Sequence, residues 1–206
     1  MKTMKYFSVL CCLAAMCLTS CLNDDNDNDT ALTKEQVAQC LLAVKGTHQG
    51  NMIYAAKNPH DVKDQTDTLA ISWTVKTDST MTIHNFPTKL LFENISESAA
   101  TAEVKAALTA LPDQDLECRI GFYRTSPISF VINPVSPSYT LELKDGKHKY
   151  TVAFYANTSI SRADYYVSEK EMDMQIVEAA IYRDDKLTSY LTEGIPFIFI
   201  ESQKKK

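Results

Sequence analysis

Apolar and polar residues alternate along most of the chain from residue 69 onwards, and this pattern is the strongest constraint on the fold. Leu69, Ile71, Trp73 and Val75 occupy every second position and are separated by smaller or polar residues. Successive side chains of a β-strand point to opposite faces, so this segment is predicted to be a strand with one buried face. Trp73 is therefore predicted to lie in the core. The same alternation recurs at 81–83, 116–122, 128–132, 139–143, 150–154 and 172–176, and an apolar run covers 195–200.

Short turn signals separate these segments. Asp145-Gly146 lies between two alternating runs and predicts a tight β-hairpin. Polar residues at positions 78–79 and 183–186 indicate further chain reversals. The alternation shifts phase near Val177 and Glu178, which predicts a β-bulge.

Two other segments have the features of amphipathic helices. Thr33 and Gln36 have the spacing of a capping box at the start of the first. The second is predicted over 97–111, which is rich in Ala and is followed by Pro112. The apolar face of the first helix has the spacing i, i+3, i+4, i+7 and comprises Val37, Cys40, Leu41 and Val44.

These elements predict a mainly β protein, α+β by content, with about eight to ten antiparallel strands and two helices. Short turns join most of the strands, and such a sheet curls into a barrel or packs as a sandwich. The sequence leaves these two architectures open. A parallel α/β fold is excluded, because it needs a crossover helix between successive strands.

The first 20 residues are predicted to be an export signal. Lys2 and Lys5 form a basic start, and an apolar run covers 6–16. That run is too short to span a bilayer as a helix. The sequence thus divides into a signal peptide at 1–20, an acidic tether at 21–32 and a single β-rich domain at 33–206.

The stretch Leu18-Thr19-Ser20-Cys21 resembles the lipobox of bacterial lipoproteins. The resemblance implies that Cys21 becomes the lipidated amino terminus, and several acyl chains on one residue anchor a protein stably in a membrane. The run that follows is similar to the surface-export signal of Bacteroidetes lipoproteins. It implies an outer membrane location, at the cell surface or alternatively facing the periplasm. Its acidic residues are Asp24, Asp25, Asp27 and Asp29.

The acidic run has two further interpretations. It is also typical of a plain solvated spacer, because its like charges repel one another. Asp24, Asn26 and Asn28, with Glu35 in the twelfth place, have the spacing of an EF-hand calcium loop. Asp29 stands where that loop needs Gly for its sharp turn.

Charge and cysteine content narrow the possible partners. The predicted mature chain of 186 residues has 19 basic and 26 acidic residues, a net charge of −7, which excludes a nucleic-acid-binding role that depends on a basic face.

Only Cys40 and Cys118 lie in the predicted domain. Both occupy apolar positions, so two separate buried thiols are favoured over a disulfide.

No catalytic motif is present in the sequence, and the four histidines lack the spacing of a zinc site, so no cofactor or metal is predicted. A cluster of tyrosines with Asn and Arg suits contact with a sugar or a protein, although tyrosines that only cap a barrel end would look the same. This predicted binding rim comprises Tyr155, Asn157, Arg162, Tyr165 and Tyr166.

The sequence is compatible with two functions. One is a membrane-anchored lipoprotein that displays a binding or interaction domain for a glycan or a neighbouring membrane protein. The alternative is an accessory glycan or peptide hydrolase at the cell surface.

Two longer stretches resemble a known family. VKGTHQGNMIYAAKNP and TDTLAISWTVKTDSTMTIHNFP are similar to Bacteroides lipoproteins that are classed only as a domain of unknown function, number 4840. This resemblance extends over the predicted mature chain and implies localisation without an activity. Thr30, Thr68 and Ser79 each follow Asp and resemble acceptors of Bacteroidetes O-glycosylation.

Overall fold

The computed structural model describes residues 31–56 and 65–202. Its helices are α1 (Lys34–Val44) and α2 (Ala102–Thr109), with a 3₁₀ helix at Thr88–Leu91. Its strands are β1 (Gly46–Ala55), β2 (Thr66–Val75), β3 (Thr80–Phe86), β4 (Gln114–Thr125), β5 (Ile128–Pro134), β6 (Ser138–Leu143), β7 (Gly146–Phe154), β8 (Arg162–Tyr166), β9 (Glu171–Arg183), β10 (Lys186–Leu187) and β11 (Ile195–Glu201). The predicted signal peptide and the residues Cys21, Asp24, Asp25, Asp27, Asp29 and Thr30 fall outside the described residues. Of the predicted calcium loop only the last part is described, and Glu35 lies there in the first turn of α1.

Eight of the strands form a closed antiparallel barrel. Their order is β1-β2-β3-β4-β5-β8-β9-β11, and β11 pairs again with β1 to close the ring. At this closure Gly50 is opposite Glu201, and a Cβ on Gly50 would lie 2.1 Å from the carbonyl oxygen of Ile200. Only glycine fits such a close approach. The predicted class is confirmed, and the open choice between barrel and sandwich is settled as a barrel.

The barrel interior is a packed core. Trp73, Phe130, Phe199 and Met52 are fully buried, as is common in eight-stranded barrels that side chains fill. Phe199 contacts Trp73 edge to face, and His48 stacks on the same indole with the two ring centroids 5.9 Å apart. The prediction that Trp73 is buried is confirmed.

The two ends of the barrel differ. At the α1 end, β1 begins and the β2–β3, β4–β5 and β8–β9 connections lie. At the opposite end, called the α2 end, α2 and the 3₁₀ helix connect β3 to β4, and the β6–β7 hairpin projects beyond the barrel. The second half of β9 leaves the barrel to pair with β7.

The predicted bulge and hairpin are both confirmed. The pairing of β7 with β9 skips one residue, since Ala153 is opposite Ala180 and Phe154 is opposite Glu178. Val177 and Glu178 are consequently both buried, although they are adjacent. The β6–β7 hairpin turns at 144–145, where the Asp-Gly signal lies.

The first helix begins where the sequence predicts, and the second begins later than predicted. The capping box of Thr33 and Gln36 is present. The second helix is shorter than the predicted 97–111, because Thr101 caps it and accepts a hydrogen bond from the backbone N–H of Val104. Threonine favours a cap over a helix interior, which explains the later start.

Cys40 and Cys118 are free thiols, and both are buried. Burial raises the pKa of each thiol, with a smaller contribution at Cys118 from the charge of Glu117. The interpretation as two separate buried thiols is therefore confirmed.

Candidate functional site

The residues of the predicted rim do not form one surface. Arg162 and Tyr166 point outward from β8, with Tyr166 about two-fifths exposed. Tyr165 is only 8% exposed and belongs to the interior core, because neighbouring residues of a strand face opposite sides. Tyr165 therefore cannot contribute to an exposed rim.

The other two rim residues lie after β7, towards the α2 end. The backbone N–H of Tyr155 donates to the carbonyl of Val177, whereas Tyr166 is opposite Glu171 on the same strand β9. Six residues of strand separate these two levels, a distance of about 20 Å. Tyr155 and Tyr166 thus belong to different surfaces.

Asn157 has a structural role in the described fold. Its φ of 56° places it in the left-handed region, where asparagine is tolerated well. Its backbone N–H donates to Asn133 Oδ1 at 2.6 Å. Its side-chain Oδ1 accepts a hydrogen bond from Asn133 Nδ2 at 2.8 Å. These two bonds fix the loop and occupy the backbone N–H and the side-chain oxygen of Asn157.

Arg162 instead joins an ordered network on the outer face of the barrel. Its Nε donates to Asp164 Oδ2 at 3.1 Å. From β4, Arg124 Nη2 donates to Asp164 Oδ1 at 2.9 Å and to Ser129 Oγ at 2.8 Å. Ser129 is fully buried beneath these groups and donates to Asp164 Oδ1 at 2.6 Å. A single carboxylate thus holds two guanidinium groups in fixed positions.

The pKa values of two neighbouring carboxyl groups beside this network are shifted in opposite directions. Burial opposes the ionisation of Asp164, but hydrogen bonds from Ser129 and Arg162 and the charges of Arg162 and Arg124 outweigh it and lower its pKa. Asp173 lies directly opposite Asp164 on β9. Its pKa is raised by burial and by the nearby charges of Glu171, Asp164 and Glu201.

Two exposed tyrosines flank the network. Tyr123 is 43% exposed and lies at an irregularity of β4, immediately before Arg124. Tyr166 follows Asp164 by two positions on the same face of β8. We call the surface of Tyr123, Arg124, Arg162, Asp164 and Tyr166 the arginine patch. Tyr123 and Arg124 were not among the residues predicted from the sequence. The signal for them was that Tyr123 breaks the alternation of apolar and polar residues at the end of this strand.

A groove of about 290 Å³ opens at the α2 end. It lies between the start of α2 and the tip of the β6–β7 hairpin and is lined by residues 99–101, 103–104, 143–145, 183 and 190. The sequence analysis did not identify it. Its lining comes from four separate segments, so only the tertiary structure brings them together.

The charged groups of the groove are held in place. Arg183 Nη2 donates to Asp145 Oδ2 at 2.6 Å, and its guanidinium lies 6.0 Å from the ring centroid of Tyr150. The hydrogen bond from Arg183, together with its charge and that of His148, outweighs burial and lowers the pKa of Asp145. Glu103 Oε1 accepts a hydrogen bond from the backbone N–H of Lys144 at 3.3 Å.

A buried carboxyl group lies deeper at the same end. Glu178 is 1% exposed, and neither of its carboxyl oxygens has a hydrogen-bond partner within residues 31–56 and 65–202. Burial raises its pKa well above the ordinary value. Glu178 is close enough to Tyr139 to affect the ionisation of that phenol, and Tyr139 Oη accepts from Gln114 Nε2 at 2.6 Å. Burial therefore favours the neutral form of Glu178 inside the fold.

The two predicted O-glycosylation sites in the described residues are accessible to solvent. Thr68 and Ser79 are exposed at the start of β2 and in the β2–β3 turn. In the described part of the chain, no three His, Cys, Asp or Glu side chains are grouped so that they could hold a metal ion. None of the helices found there is long and apolar enough to cross a membrane.

The fold and its surfaces define an eight-stranded antiparallel β-barrel protein with a strand extension at one end and an ordered arginine patch on its wall. The chain belongs to the family described as domain of unknown function (DUF4840), which matches residues 43–183. This confirms the resemblance to that domain, over a shorter stretch than the predicted mature chain. The match covers the whole arginine patch. No curated protein and no solved structure matches the chain.

Proposed function

We propose that this chain is an outer-membrane lipoprotein, anchored through Cys21, which displays its barrel at the cell surface and binds a neighbouring envelope protein through the arginine patch. The anchor rests on the signal-like segment 1–20 and on the lipobox resemblance. Residues Leu32–Lys206 form one compact unit. A compact domain that begins shortly after the acidic run supports a tether at 21–32.

The composition of the patch carries the binding proposal. Tyrosine and arginine are enriched at the energetic centres of protein interfaces. Arg124 and Arg162 are each held by Asp164, so binding need not order them again. The patch lies on the outer wall of a barrel, whereas small-molecule sites are concave. A protein surface therefore suits the patch better than a small ligand does.

Membrane anchoring is tested by replacing the predicted lipid acceptor. Cys21→Ala should remove incorporated radiolabelled palmitate and release the chain from the membrane fraction, whereas Cys40→Ala should keep both properties. An alanine variant that stays labelled and membrane-bound would refute the anchor. Surface display is tested by replacing Asp24, Asp25, Asp27 and Asp29 with Ala, which should protect the domain from external protease while leaving the lipid in place.

The patch is tested by photo-crosslinking in intact cells. A photoreactive amino acid at Tyr123 or Tyr166 should give a discrete adduct with another protein, and one at Thr140 on β6 should not. Arg124→Ala should abolish the adduct. Arg119→Ala is the matched control, because Arg119 is exposed on the same strand and outside the network. Equal adducts from patch and control positions would count against the proposal.

The alternative of a surface hydrolase is favoured by one observation. Asp164 and Asp173 are cross-strand neighbours, whose Cβ atoms lie about 5 Å apart in such pairs, so their carboxyl groups can approach each other as closely as the pair of a retaining glycosidase does. Their pKa values shift in opposite directions, as an acid and a nucleophile require. Against it, both oxygens of Asp164 are already occupied by hydrogen bonds. Release of nitrophenol from aryl glycosides that is lost in Asp173→Asn would establish the hydrolase.

We also propose that Thr68 and Ser79, with Thr30 upstream, carry O-linked glycans. Both described sites are exposed, which supports access by a modifying enzyme. Intact mass spectrometry of the native protein should show additional mass that is lost when the preceding aspartates are replaced.

A further inference from the structure

The groove at the α2 end is distinct from the arginine patch. The patch lies near the α1 end, where β1 begins, and the groove lies at the opposite end. Its volume of about 290 Å³ is just below the usual range for ligand pockets, about 300–1,000 Å³. It is concave, as a site for a small molecule requires.

The charges of the groove balance. Glu103 and Asp145 contribute two carboxylates, and Lys144 and Arg183 contribute two cations. An anion would meet the carboxylates, and a cation would meet the ammonium and guanidinium groups. Repulsion of this kind selects against singly charged ligands. A neutral ligand that both donates and accepts hydrogen bonds fits all four groups.

The rest of the lining is apolar. Val104 and Leu143 lie between the charged residues, next to the small side chains of Ala99 and Ala100. A ligand with a flat C–H face would cover this floor, while its hydroxyl groups reach the charged residues. A pyranose ring has both properties.

The polar groups around the groove are set in advance. Arg183 is fixed by Asp145 and by the ring of Tyr150. The hydroxyl group of Tyr150 is buried beside that of Tyr190, a lining residue, and the two hydroxyl groups are close enough to interact. At the start of α2, the N–H of Val104 is capped by the side chain of Thr101. The groove is therefore lined by groups whose positions are fixed before a ligand binds.

We propose that this groove binds a neutral, hydroxyl-rich ligand, a mono- or disaccharide, with Glu103 and Asp145 as acceptors and Lys144 and Arg183 as donors. The proposal is independent of the arginine patch and of the membrane anchor. It assigns the barrel a second site, which faces away from the end at which the chain enters.

The test is an NMR titration of the soluble form that begins after Cys21. The probes are glucose, galactose, mannose and N-acetylglucosamine and their β1→4-linked dimers, with inorganic phosphate as the anionic and methylammonium as the cationic probe. At least one sugar should shift the amide signals of residues 99–104 and 143–145 at a concentration below about 50 mM. Phosphate and methylammonium should not shift them.

Paired variants locate the site. Lys144→Ala and Glu103→Gln should each weaken sugar binding about fivefold or more, the effect of losing one hydrogen bond. Lys147→Ala and Glu142→Gln, exposed residues of the same hairpin outside the groove, should leave it unchanged. Three results would overturn the proposal: no shift with any sugar, shifts confined to other regions, or binding of phosphate or methylammonium at the groove in place of sugar.

Discussion

The imidazole of His48 and the carboxylate of Glu201 join the first and last strands of the barrel, with Nδ1 2.9 Å from Oε1. Nε2 of the same ring donates to the carbonyl of Val44 at 2.8 Å, and the backbone N–H of Met172 donates to the other oxygen of Glu201 at 2.9 Å. The pair therefore connects α1, β1, β9 and β11 at the point where the ring of strands closes.

Replacing Glu201 should weaken this closure. Glu201→Ala leaves the N–H of Met172 and the ring of His48 without their acceptor, which costs about 1–3 kcal/mol for a partly buried group. Urea unfolding should show a lower midpoint than for Glu142→Ala, which removes an exposed carboxylate. An unchanged midpoint for Glu201→Ala would show that the backbone pairing alone closes the barrel.

Trp73 should report the state of the core. The side chain is fully buried between Phe199 and His48, so its fluorescence should be blue-shifted and protected from iodide. Trp73→Ala should cost about 3–5 kcal/mol, a large part of the stability of a single domain. Tyr123→Ala, at an exposed position, should change stability by no more than about 0.5 kcal/mol. Emission like that of free tryptophan would refute the interior assignment.

Glu178 should make stability depend on pH. Burial raises its pKa above the ordinary value of 4.5, so the folded state keeps a proton that the unfolded state releases. Stability should therefore fall as pH rises from about 4.5 towards the raised value, by up to about 1.4 kcal/mol per pH unit. Glu178→Gln carries no titrating group, so its stability should rise relative to that of the wild type as pH increases above about 4.5.

The comparison for this variant is Glu169→Gln, which removes an exposed carboxyl group from the β8–β9 connection. Its stability should follow that of the wild type at every pH. If the free energies of unfolding of the wild type and Glu178→Gln depended on pH in the same way, burial would not raise the pKa of Glu178, and the prediction would be wrong.

The two thiols should be unreactive in the native protein. Cys40 and Cys118 are buried and unpaired, and burial raises the pKa of each. Iodoacetamide should modify neither in the native soluble domain and both in urea, because only an exposed thiolate reacts quickly. A mass two units lower without reductant would instead show that the two cysteines form a disulfide.

Local patterns in the sequence determined the elements of this fold. Alternation at Ile71, Trp73 and Val75, the Asp-Gly turn and the Thr33 cap each depend on residues within a few positions, and each is present. The same local rule could have separated Tyr165 from Tyr166, because adjacent residues of one strand cannot share a face.

The tertiary structure decided the sites and the closure of the barrel. Arg124 meets Asp164 across 40 positions of sequence, and His48 meets Glu201 across 153. Neither contact has a local signature, since each exists only when the register of several strand pairs is fixed together. The sequence alone therefore determined most of the strands and their buried faces, but its alternation did not single out β8, one of the eight barrel strands. Which polar residues meet on the surface depended on the closed ring, because strand pairing brings together residues that no local pattern relates.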